Sequence, residues 1–525
     1  MAPQSGENPD VNERKPWTVM IYMIADDPAG GEMLDQQANQ ELDEIIYAKL
    51  GLANRDAIDV AVQVDFRNQP DVWRRVIGKS TWLQPESPAA DPATLYGFFD
   101  WVANACPAYK YLLLFWGHSR GPFGLFTDRP FSSPMAGAFA EDDPTTYVTQ
   151  TLTLKELREA LGHARECLRQ QIDIVAFKDC FMSTLETAYE LQDWVKFILA
   201  SPDIVPVPNW PYEAIFKCLA SGEEAGSAAG HILDALDKHY KDDKNSQKID
   251  VRYTLLDTSK LATVSKSLDS IMATDGGNAA IRKALKDATP NDSALVDVGL
   301  LCQNLKSSTA PNLEEQVGLL EKAIGEVVLK RSSGNSASLS VKKGAKKPKG
   351  SADDASAGVC LFCYPSSEAK ESTSHVAPHA TREVYTKLVI AQETKWSGVA
   401  LEAMPPAPVP DPSQVRSYPP AYTSALLPSM LEQLQRGILE EIARSAAGFG
   451  KPAGFGKPVG FGKPVGFGKP VGFGKPVGFG KPVGFFKPVG FAAEFQLAKD
   501  LMPDTFDNKP VPATVTTAKR KTRKK

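Results

Sequence analysis

The sequence has little cysteine and no long apolar run. Its seven cysteines are odd in number and lack the regular spacing of a disulfide framework. The longest apolar candidate, YLLLFW at 111–116, is far shorter than the about 20 residues of a membrane span. The first 17 residues are polar and lack the apolar core of a secretory signal. These absences argue against membrane-spanning and disulfide-stapled classes and predict a reduced, cytoplasmic protein.

The composition predicts a large core and an uneven distribution of charge. The chain has 525 residues, of which 42% are hydrophobic, and its net charge is −4. Residues 404–525 contain 18 Lys and Arg against 8 Asp and Glu, whereas the remainder contains 41 against 55. An acidic body with a basic tail predicts either two separate roles or a tail that folds back on the body.

The first half of the sequence alternates strand and helix patterns, with a hairpin insert at 73–84. Apolar strand-like runs occur at 18–25, 58–64, 111–116, 172–177 and 196–201. Amphipathic patterns lie between them at 32–50, 93–105 and 152–168. Strands that are apolar throughout and separated by helices favour a parallel sheet covered on both faces. The predicted fold class is therefore α/β, with helices on both sides of a mostly parallel sheet.

The second half is less regular. It contains a strand at 250–257, helical patterns to 328, and a basic Ser/Gly/Lys-rich insert at 331–357 that is predicted to be disordered. A buried strand at 358–365 and an amphipathic helix at 381–394 are expected to follow. The folded domain is predicted to span 17–402, after a disordered N-terminus at 1–16.

The chain changes character beyond residue 402. A Pro-rich spacer and short helix at 403–447 lead to hexapeptide repeats of the form GFGKPV at 448–490, and a basic disordered tail covers 491–525. Regular Phe and Lys residues can stack on and neutralise single-stranded nucleic acid. The same composition can also drive self-association, restrain the acidic body electrostatically, or serve as an inert spacer.

Two strand patterns end in reactive side chains. The run at 111–116 is followed by His118, and the run at 172–177 is followed by Cys180. The carboxyl ends of parallel strands line a common crevice, so an imidazole and a thiol can meet there as base and nucleophile. A helical pattern directly after Cys180 predicts a helix N-terminus that favours its thiolate. A buried core cysteine is the alternative.

These segments resemble the clostripain family of cysteine peptidases, which share the caspase-like fold with caspases, legumains and gingipains. The resemblance covers residues 17–400 and includes six motifs in the family's order: WTVMIYMIADD, TLTLKELREAL, DCFMSTLETAYEL, LASPDIVPVPNWPY, AGVCLFCYPSS and YTKLVIAQETKW. It implies a caspase-like three-layer sandwich and peptide hydrolysis through an acyl-enzyme. Cys180 would be the nucleophile, His118 the general base and acid, and the N–H groups of Cys180 and Ser119 the oxyanion donors.

Two positions depart from the family pattern. Ser119 stands where family members commonly have glycine, so its Cβ would restrict a backbone that needs positive φ. Lys178 replaces the aspartate linked to cleavage after Arg or Lys, and the acid has moved to Asp179. Lys178, helped by Arg120, would attract an acidic substrate side chain, whereas Asp203 would keep the pocket acidic. A solvated charge at the strand end is a third interpretation of Lys178.

The expected substrate-binding group therefore comprises Ser119, Arg120, Lys178, Asp179, Ser201 and Asp203. No cofactor and no metal ligands are predicted, and His163 is expected to be structural. The family resemblance leaves calcium binding at Asp26 and Asp27 open, although two carboxylates are weak evidence.

A polar loop at 127–150 is a predicted site of maturation by cleavage, as in many relatives. It offers Arg129 to a basic-specific enzyme and Glu141, Asp142 and Asp143 to an acid-specific one. The predicted partners are a protein or peptide substrate and, through the basic tail, nucleic acid or another copy of the chain. An inactive pseudopeptidase that acts as a binding module is the rival function, and no membrane span is expected.

Overall fold

The chain divides into two units, Met1–Pro410 and Asp411–Lys525. The structure, a computed structural model, describes residues 14–406 except 28–30, 68, 70, 80, 86, 129–149, 207–209, 243–244, 246–249, 286–287, 289–291, 308–311, 335–354, 367–370 and 372–373. The predicted repeats at 448–490 and the tail at 491–525 therefore lie outside the described residues, as do most of the spacer at 403–447, the insert at 331–357 and the N-terminus at 1–16. No helix of the described part is long and apolar enough to cross a membrane.

A nine-stranded sheet forms the centre of the first unit, in the order β12-β10-β9-β8-β5-β1-β2-β3-β4. The five central strands β9, β8, β5, β1 and β2 are parallel. At each edge two further strands are added, and each of them pairs antiparallel with its neighbour. The strands of this sheet are β1 (Lys15–Ile24), β2 (Ile58–Asp65), β3 (Asp71–Val76), β4 (Thr81–Pro85), β5 (Ala108–Trp116), β8 (Ile172–Lys178), β9 (Val195–Ala200), β10 (Thr254–Asp257) and β12 (Val328–Arg331). The predicted strands and the hairpin insert are all present.

Helices cover both faces of the sheet, because strand side chains alternate between two apolar cores. One core packs β1, β5 and β8 against α2 (Pro92–Ala105), α3 (Leu154–Leu168), α4 (Leu185–Leu191), α7 (Ala262–Ala273), α8 (Gly277–Ala284), α9 (Val298–Lys306) and α10 (Leu313–Val327). The other packs the same strands against α1 (Gly31–Leu50), α5 (Tyr212–Ala220) and α6 (Ala225–Tyr240). The predicted three-layer α/β architecture with a mostly parallel sheet is confirmed.

Two small sheets lie outside the central one. β6 (Leu125–Asp128) pairs with β7 (Gln150–Leu152), and β11 (Leu295–Asp297) pairs with β13 (Cys360–Phe362). β13 is the strand predicted at 358–365. It is fully buried and joins the first core through β11 rather than extending the central sheet.

The prediction of one helix over 381–394 is wrong. The segment forms two short helices, α11 (Arg382–Tyr385) and α12 (Val389–Glu393), and α13 (Trp396–Ala400) follows. Leu388 between them is extended, with φ −69° and ψ 145°. The N–H of Val389 donates to the buried carboxylate of Glu190 on α4. This tertiary hydrogen bond takes the donor that a continuous helix would need.

Candidate active site

The His and Cys segments lie side by side at the carboxyl edge of the sheet. β5 and β8 are adjacent parallel strands, and Trp116 pairs with Lys178 at the end of their register. His118 and Cys180 each follow two residues later. The Ser119 hydroxyl donates to the carbonyl of Cys180. The structure thus brings the two predicted loops into direct contact.

His118 lies between solvent and a buried carboxylate. Its side chain is 44% exposed, and its Nδ1 is 3.5 Å from Oδ2 of Asp27, whose side chain is 2% exposed. Asp27 follows β1, the strand on the other side of β5. The Asp27 carboxylate therefore lies on the Nδ1 side of the ring, although Nδ1 completes no hydrogen bond within the described residues. The sequence points to Asp27 only as a weakly supported calcium ligand, and its position after the strand next to β5 is the signal that it lies near His118.

The backbone at Ser119 is held by β6. The N–H of Arg120 donates to Gly124 O, and the N–H of Phe126 donates to His118 O, both at 2.8 Å. Ser119 and Leu125 therefore form the non-hydrogen-bonded pair of an antiparallel bridge, in which the N–H of Ser119 points away from β6. Ser119 is not in the positive-φ region, so its Cβ adds no backbone strain at this position.

The expectation that a helix N-terminus favours the Cys180 thiolate is wrong. α4 begins only at Leu185 and is capped by Thr184, so four residues separate Cys180 from the helix. Burial, with smaller contributions from Asp179 and Asp203, raises the pKa of the Cys180 thiol to about 11. The N–H of Val205, 3.3 Å from Sγ, opposes this shift. The thiol is therefore protonated at neutral pH.

The residue after Cys180 is in an unusual conformation. Phe181 has φ +59°, a region that costs a non-glycine residue about 1–2 kcal/mol. Its N–H donates to Asp203 O at 3.1 Å, and its ring stacks on His375 at 5.9 Å. Gly121 has φ +56° and lies against the Phe181 carbonyl. These contacts hold the turn that follows the candidate nucleophile.

Lys178 is buried in an ion pair. Its Nζ is 2.6 Å from Oε2 of Glu41 on α1, and both side chains are at most 1% exposed. The Tyr212 hydroxyl donates to the other oxygen of Glu41, and Nζ lies 5.6 Å from the centre of the Trp116 ring. Burial lowers the pKa of Lys178, and Glu41 opposes that shift. The interpretation of Lys178 as a solvated strand-end charge is wrong.

Asp203 and Ser201 are also fully buried. Arg252 binds both carboxylate oxygens of Asp203, at 2.7 and 2.9 Å, which is the bidentate geometry of a strong pair. The Ser201 hydroxyl accepts the N–H of Asp203 at 3.0 Å. Asp203 raises the pKa of Arg252. The negative charge predicted for the pocket is therefore compensated inside the fold.

Asp179 and Arg120 occupy different surroundings. Asp179 is completely buried, and neither carboxylate oxygen has a hydrogen-bond partner. Burial raises its pKa well above the usual range, and Lys178 opposes that shift. Arg120 is half-buried near Asp27, and burial lowers its pKa. His379 is coupled to both Arg120 and Asp27 and has a lowered pKa, mainly through burial.

An aromatic cluster lies beside these groups. The Tyr253 ring centre is 5.7 Å from that of Trp210 and 5.9 Å from that of Tyr240. Trp210 Nε1 and the two phenol oxygens are buried and interact with one another. Both tyrosines are close enough to Cys180 to couple with it electrostatically. No sequence pattern predicts this cluster, because its members come from three separate segments.

Two clusters of potential metal ligands occur among the described residues. Within the described ranges, groups of three His, Cys, Asp or Glu ligands occur at Asp100, His163 and Cys167, and at Cys218, Glu223 and His231. Asp26 and Asp27 do not belong to either group. The candidate loop residues Arg129, Glu141, Asp142 and Asp143 lie outside the described residues.

Sequence comparisons identify one family. A protein-family model described as the clostripain family matches residues 21–325. Clostripain from Hathewaya histolytica is 28% identical over 149 residues, and that alignment covers 27% of this chain and 27% of clostripain. The chain thus aligns with only about a quarter of this relative's length.

Structural comparisons agree on the fold. An inactive zymogen C11 protease from Parabacteroides distasonis is similar with a TM-score of 0.50 and 17% identity, over 73% of this chain and 98% of that one. A secreted C11 cysteine protease from Bacteroides thetaiotaomicron, solved with an irreversible peptide inhibitor, matches with a TM-score of 0.44 and 18% identity, over 60% and 84%. The first likeness shows a shared α/β fold.

Proposed function

The chain belongs to the clostripain family, and from this premise we propose that it is a cysteine endopeptidase. Cys180 is the nucleophile and His118 is the general base and acid. The observation that carries the proposal is the β5–β8 pairing, which sets both residues just beyond neighbouring strands, in loops joined by the bond from Ser119 to Cys180. The substrate class is a protein or peptide.

Acylation begins with the neutral thiol. Because the pKa of Cys180 is raised to about 11, His118 Nε2 takes the proton as Sγ attacks the scissile carbonyl carbon. The oxyanion of the tetrahedral intermediate accepts hydrogen bonds from the N–H groups of Ser119 and Cys180. Asp27 stabilises the imidazolium through Nδ1. The C–N bond then breaks, and the imidazolium donates its proton to the leaving amine.

Deacylation uses the same groups. His118 removes a proton from water, which attacks the thioester carbonyl, and the oxyanion again binds the two N–H groups. Collapse expels the Cys180 sulfur and releases the carboxylic acid, while the proton returns to the thiolate. Water is the co-substrate of deacylation, and these steps require no metal or cofactor.

We infer that the pocket beside Cys180 prefers a neutral residue before the scissile bond. The sequence predicts that Lys178 favours an acidic substrate side chain and that Asp203 favours a basic one. Their charges are compensated by Glu41 and Arg252, and this compensation weakens the attraction of either substrate charge.

A peptide library varied at the residue before the cleavage site tests this specificity. We expect kcat/KM for neutral side chains to exceed that for Arg, Lys, Asp and Glu by at least about tenfold. Preferred cleavage after Arg or Lys would show that Asp203 still acts as a pocket charge. Preferred cleavage after Asp or Glu would assign that role to Lys178 and Arg120.

Maturation by cleavage within the 127–150 loop is part of the proposal. The segment connects β6 to β7, and β6 is bonded directly to the His118 backbone through the Phe126 N–H. A cut in this loop would leave β6 and β7 on two separate chains. Incubation of the purified chain, followed by N-terminal sequencing of its fragments, identifies any cut. An intact Cys180→Ala chain under the same conditions would attribute the cut to the protein itself.

The raised pKa of Cys180 also favours a second candidate, an inactive pseudopeptidase that binds partners. A thiol-reactive peptide probe separates the two functions. An active site modifies Cys180 selectively among the seven cysteines, and His118→Ala removes that selectivity. In that variant, labelling should increase about tenfold per pH unit up to roughly pH 10, because only the thiolate fraction reacts. Equal labelling of wild type and variant at pH 7 would support the pseudopeptidase.

The basic tail and the cellular location extend the proposal. The tail would bind nucleic acid, promote self-association or restrain the acidic body, and these roles are separated by comparing full-length chain with a 404–525 deletion. Loss of nucleic-acid retention supports binding, whereas a salt-dependent gain of activity supports restraint. A cytoplasmic location fits the seven free thiols and is tested by cell fractionation.

A further inference from the structure

A cluster of three potential metal ligands joins two helices on the face opposite to α1. His163 and Cys167 are four residues apart on α3 and therefore share one side of that helix. Asp100 reaches them from α2, which packs against α3. One ligand atom from each residue lies within 4.8 Å of both others. Imidazole, thiolate and carboxylate are all ligands of zinc.

The contacts of these side chains leave the cluster able to bind a cation. His163 Nε2 is 2.8 Å from Asp100 Oδ1, and the ring stacks on Tyr96 with centres 4.7 Å apart. The Cys167 thiol donates only weakly, to Ala164 of its own helix, at 3.3 Å. The His163 and Asp100 side chains are 31% and 55% exposed, so an ion can enter and keep a water ligand.

The charges around the cluster also favour a cation. After burial, the main influence on the pKa of Cys167 is its acidic neighbours: Asp100 and Glu166 both raise it. The pKa of nearby Tyr96 is likewise raised by burial and then by Asp91, Glu156 and Glu159. Arg74 is coupled to Asp100 from β3, but its Nε donates to Gln63 and its guanidinium lies over Trp101. The neighbourhood is therefore predominantly acidic.

We propose that Asp100, His163 and Cys167 bind a divalent zinc ion, with water as the fourth ligand. Binding replaces the His163–Asp100 hydrogen bond by bonds from Nε2 and the carboxylate to the metal. The proton on Nε2 leaves to solvent and Nδ1 takes one up, so the imidazole binds the ion as a neutral ligand. The Cys167 S–H bond breaks, its proton goes to solvent, and a zinc–sulfur bond forms. The thiolate and carboxylate neutralise the ion. The ligand atoms of a tetrahedral zinc site would be about 3.3–3.6 Å apart. Side-chain movements of roughly 1 Å would bring the ligand atoms, now within 4.8 Å of one another, to that spacing.

The ligands come from opposite sides of the 129–149 segment. Asp100 precedes it, whereas His163 and Cys167 follow it. After the proposed cleavage, the ion would cross-link the two chains at α2 and α3. The site itself does not depend on peptidase activity.

The other group, Cys218, Glu223 and His231, provides a matched control. Its carboxylate is already satisfied, since Ser227 and His231 both lie 2.7 Å from Glu223 Oε2, and these contacts lower the pKa of Glu223. We expect no zinc there. Cys180 is a separate control, because the thiol and imidazole of the proposed active site can also capture zinc.

The test uses full-length protein stripped with EDTA and then dialysed against Zn²⁺ or Co²⁺. We expect one equivalent of bound zinc and, with cobalt, the ultraviolet charge-transfer band of a thiolate ligand. Cys167→Ser should lose the band and weaken zinc binding at least about tenfold, as should His163→Ala without a change in the far-ultraviolet circular dichroism. Cys218→Ser and Cys180→Ala should retain both signals. Retention of the cobalt band in Cys167→Ser, its loss in Cys180→Ala, or the absence of bound metal would overturn the proposal.

Discussion

At the scale of single residues, the Asp27 carboxylate is expected to orient the His118 imidazole in the proposed mechanism. Asp27→Asn should lower kcat about 10- to 100-fold with little change in KM, because an amide stabilises the imidazolium less well than a carboxylate. Steady-state kinetics at several pH values measure the effect, and the acidic limb of the kcat profile should shift. Asp91→Asn is the matched control: it keeps an N-cap oxygen on α2, outside the site, and should leave the kinetics unchanged. An unaltered profile in Asp27→Asn would remove Asp27 from the mechanism.

The Lys178–Glu41 pair makes a second prediction. Lys178→Met leaves Glu41 charged in a buried environment and should reduce the free energy of unfolding by about 3–5 kcal/mol. The double variant Lys178→Met with Glu41→Gln should recover most of this loss, because no unpaired charge remains. Urea unfolding of the two variants and wild type measures the difference. Equal losses in the single and double variants would argue that packing, rather than charge, controls stability here.

The sequence predicts His118 and Cys180 because each follows an apolar strand directly, and strand ends can be recognised locally. It does not predict Glu41 or Arg252, which lie 137 and 49 residues from their partners Lys178 and Asp203. Their contacts depend on how helices and strands pack. The raised pKa values of Cys180 and Asp179 cannot be predicted from the sequence for the same reason, since burial is the main cause of both shifts.

At the scale of elements, a buried acid joins α4 to later segments. Glu186 Oε1 accepts the N–H of Phe362 at 2.9 Å and the hydroxyl of Tyr385 at 2.8 Å. Burial raises its pKa to about 7. The stabilising contribution of the protonated group is therefore complete below the unfolded pKa of about 4.5 and is lost as pH rises through 7.

Glu186→Gln should remove this pH dependence. The shift corresponds to about 3 kcal/mol, and the variant should therefore gain up to that amount relative to wild type between pH 5 and pH 8. Thermal unfolding over this range measures the gain. A constant difference between the two proteins across the range would mean that Glu186 does not change its protonation on unfolding.

Helix and strand prediction succeeded where one periodic pattern decides the structure, as in α1, α2 and α3. It failed at 381–394, where an apolar periodicity is present but Glu190 takes the N–H of Val389. A contact between residues 199 apart cannot be seen in a local pattern. The extended pairing of β13 with β11 was beyond the sequence for the same reason.

At the scale of the whole molecule, the first unit contains its complete core. A chain truncated after Pro410 should unfold with the same midpoint as full-length protein, because both apolar cores lie within the first unit. Differential scanning calorimetry compares the two forms. A drop of several degrees in the truncated chain would show that residues 411–525 stabilise the body.

The adjacency of β5 and β8 has a consequence for biosynthesis. His118 leaves the ribosome 62 residues before Cys180, and strand β8 must dock before the base meets its sulfur. A growing polypeptide that has completed β5 carries an imidazole without a partner, so it cannot attack neighbouring nascent chains. Under the proposed mechanism, peptide hydrolysis would therefore depend on the completion of this long-range strand pairing rather than on the synthesis of either reactive group.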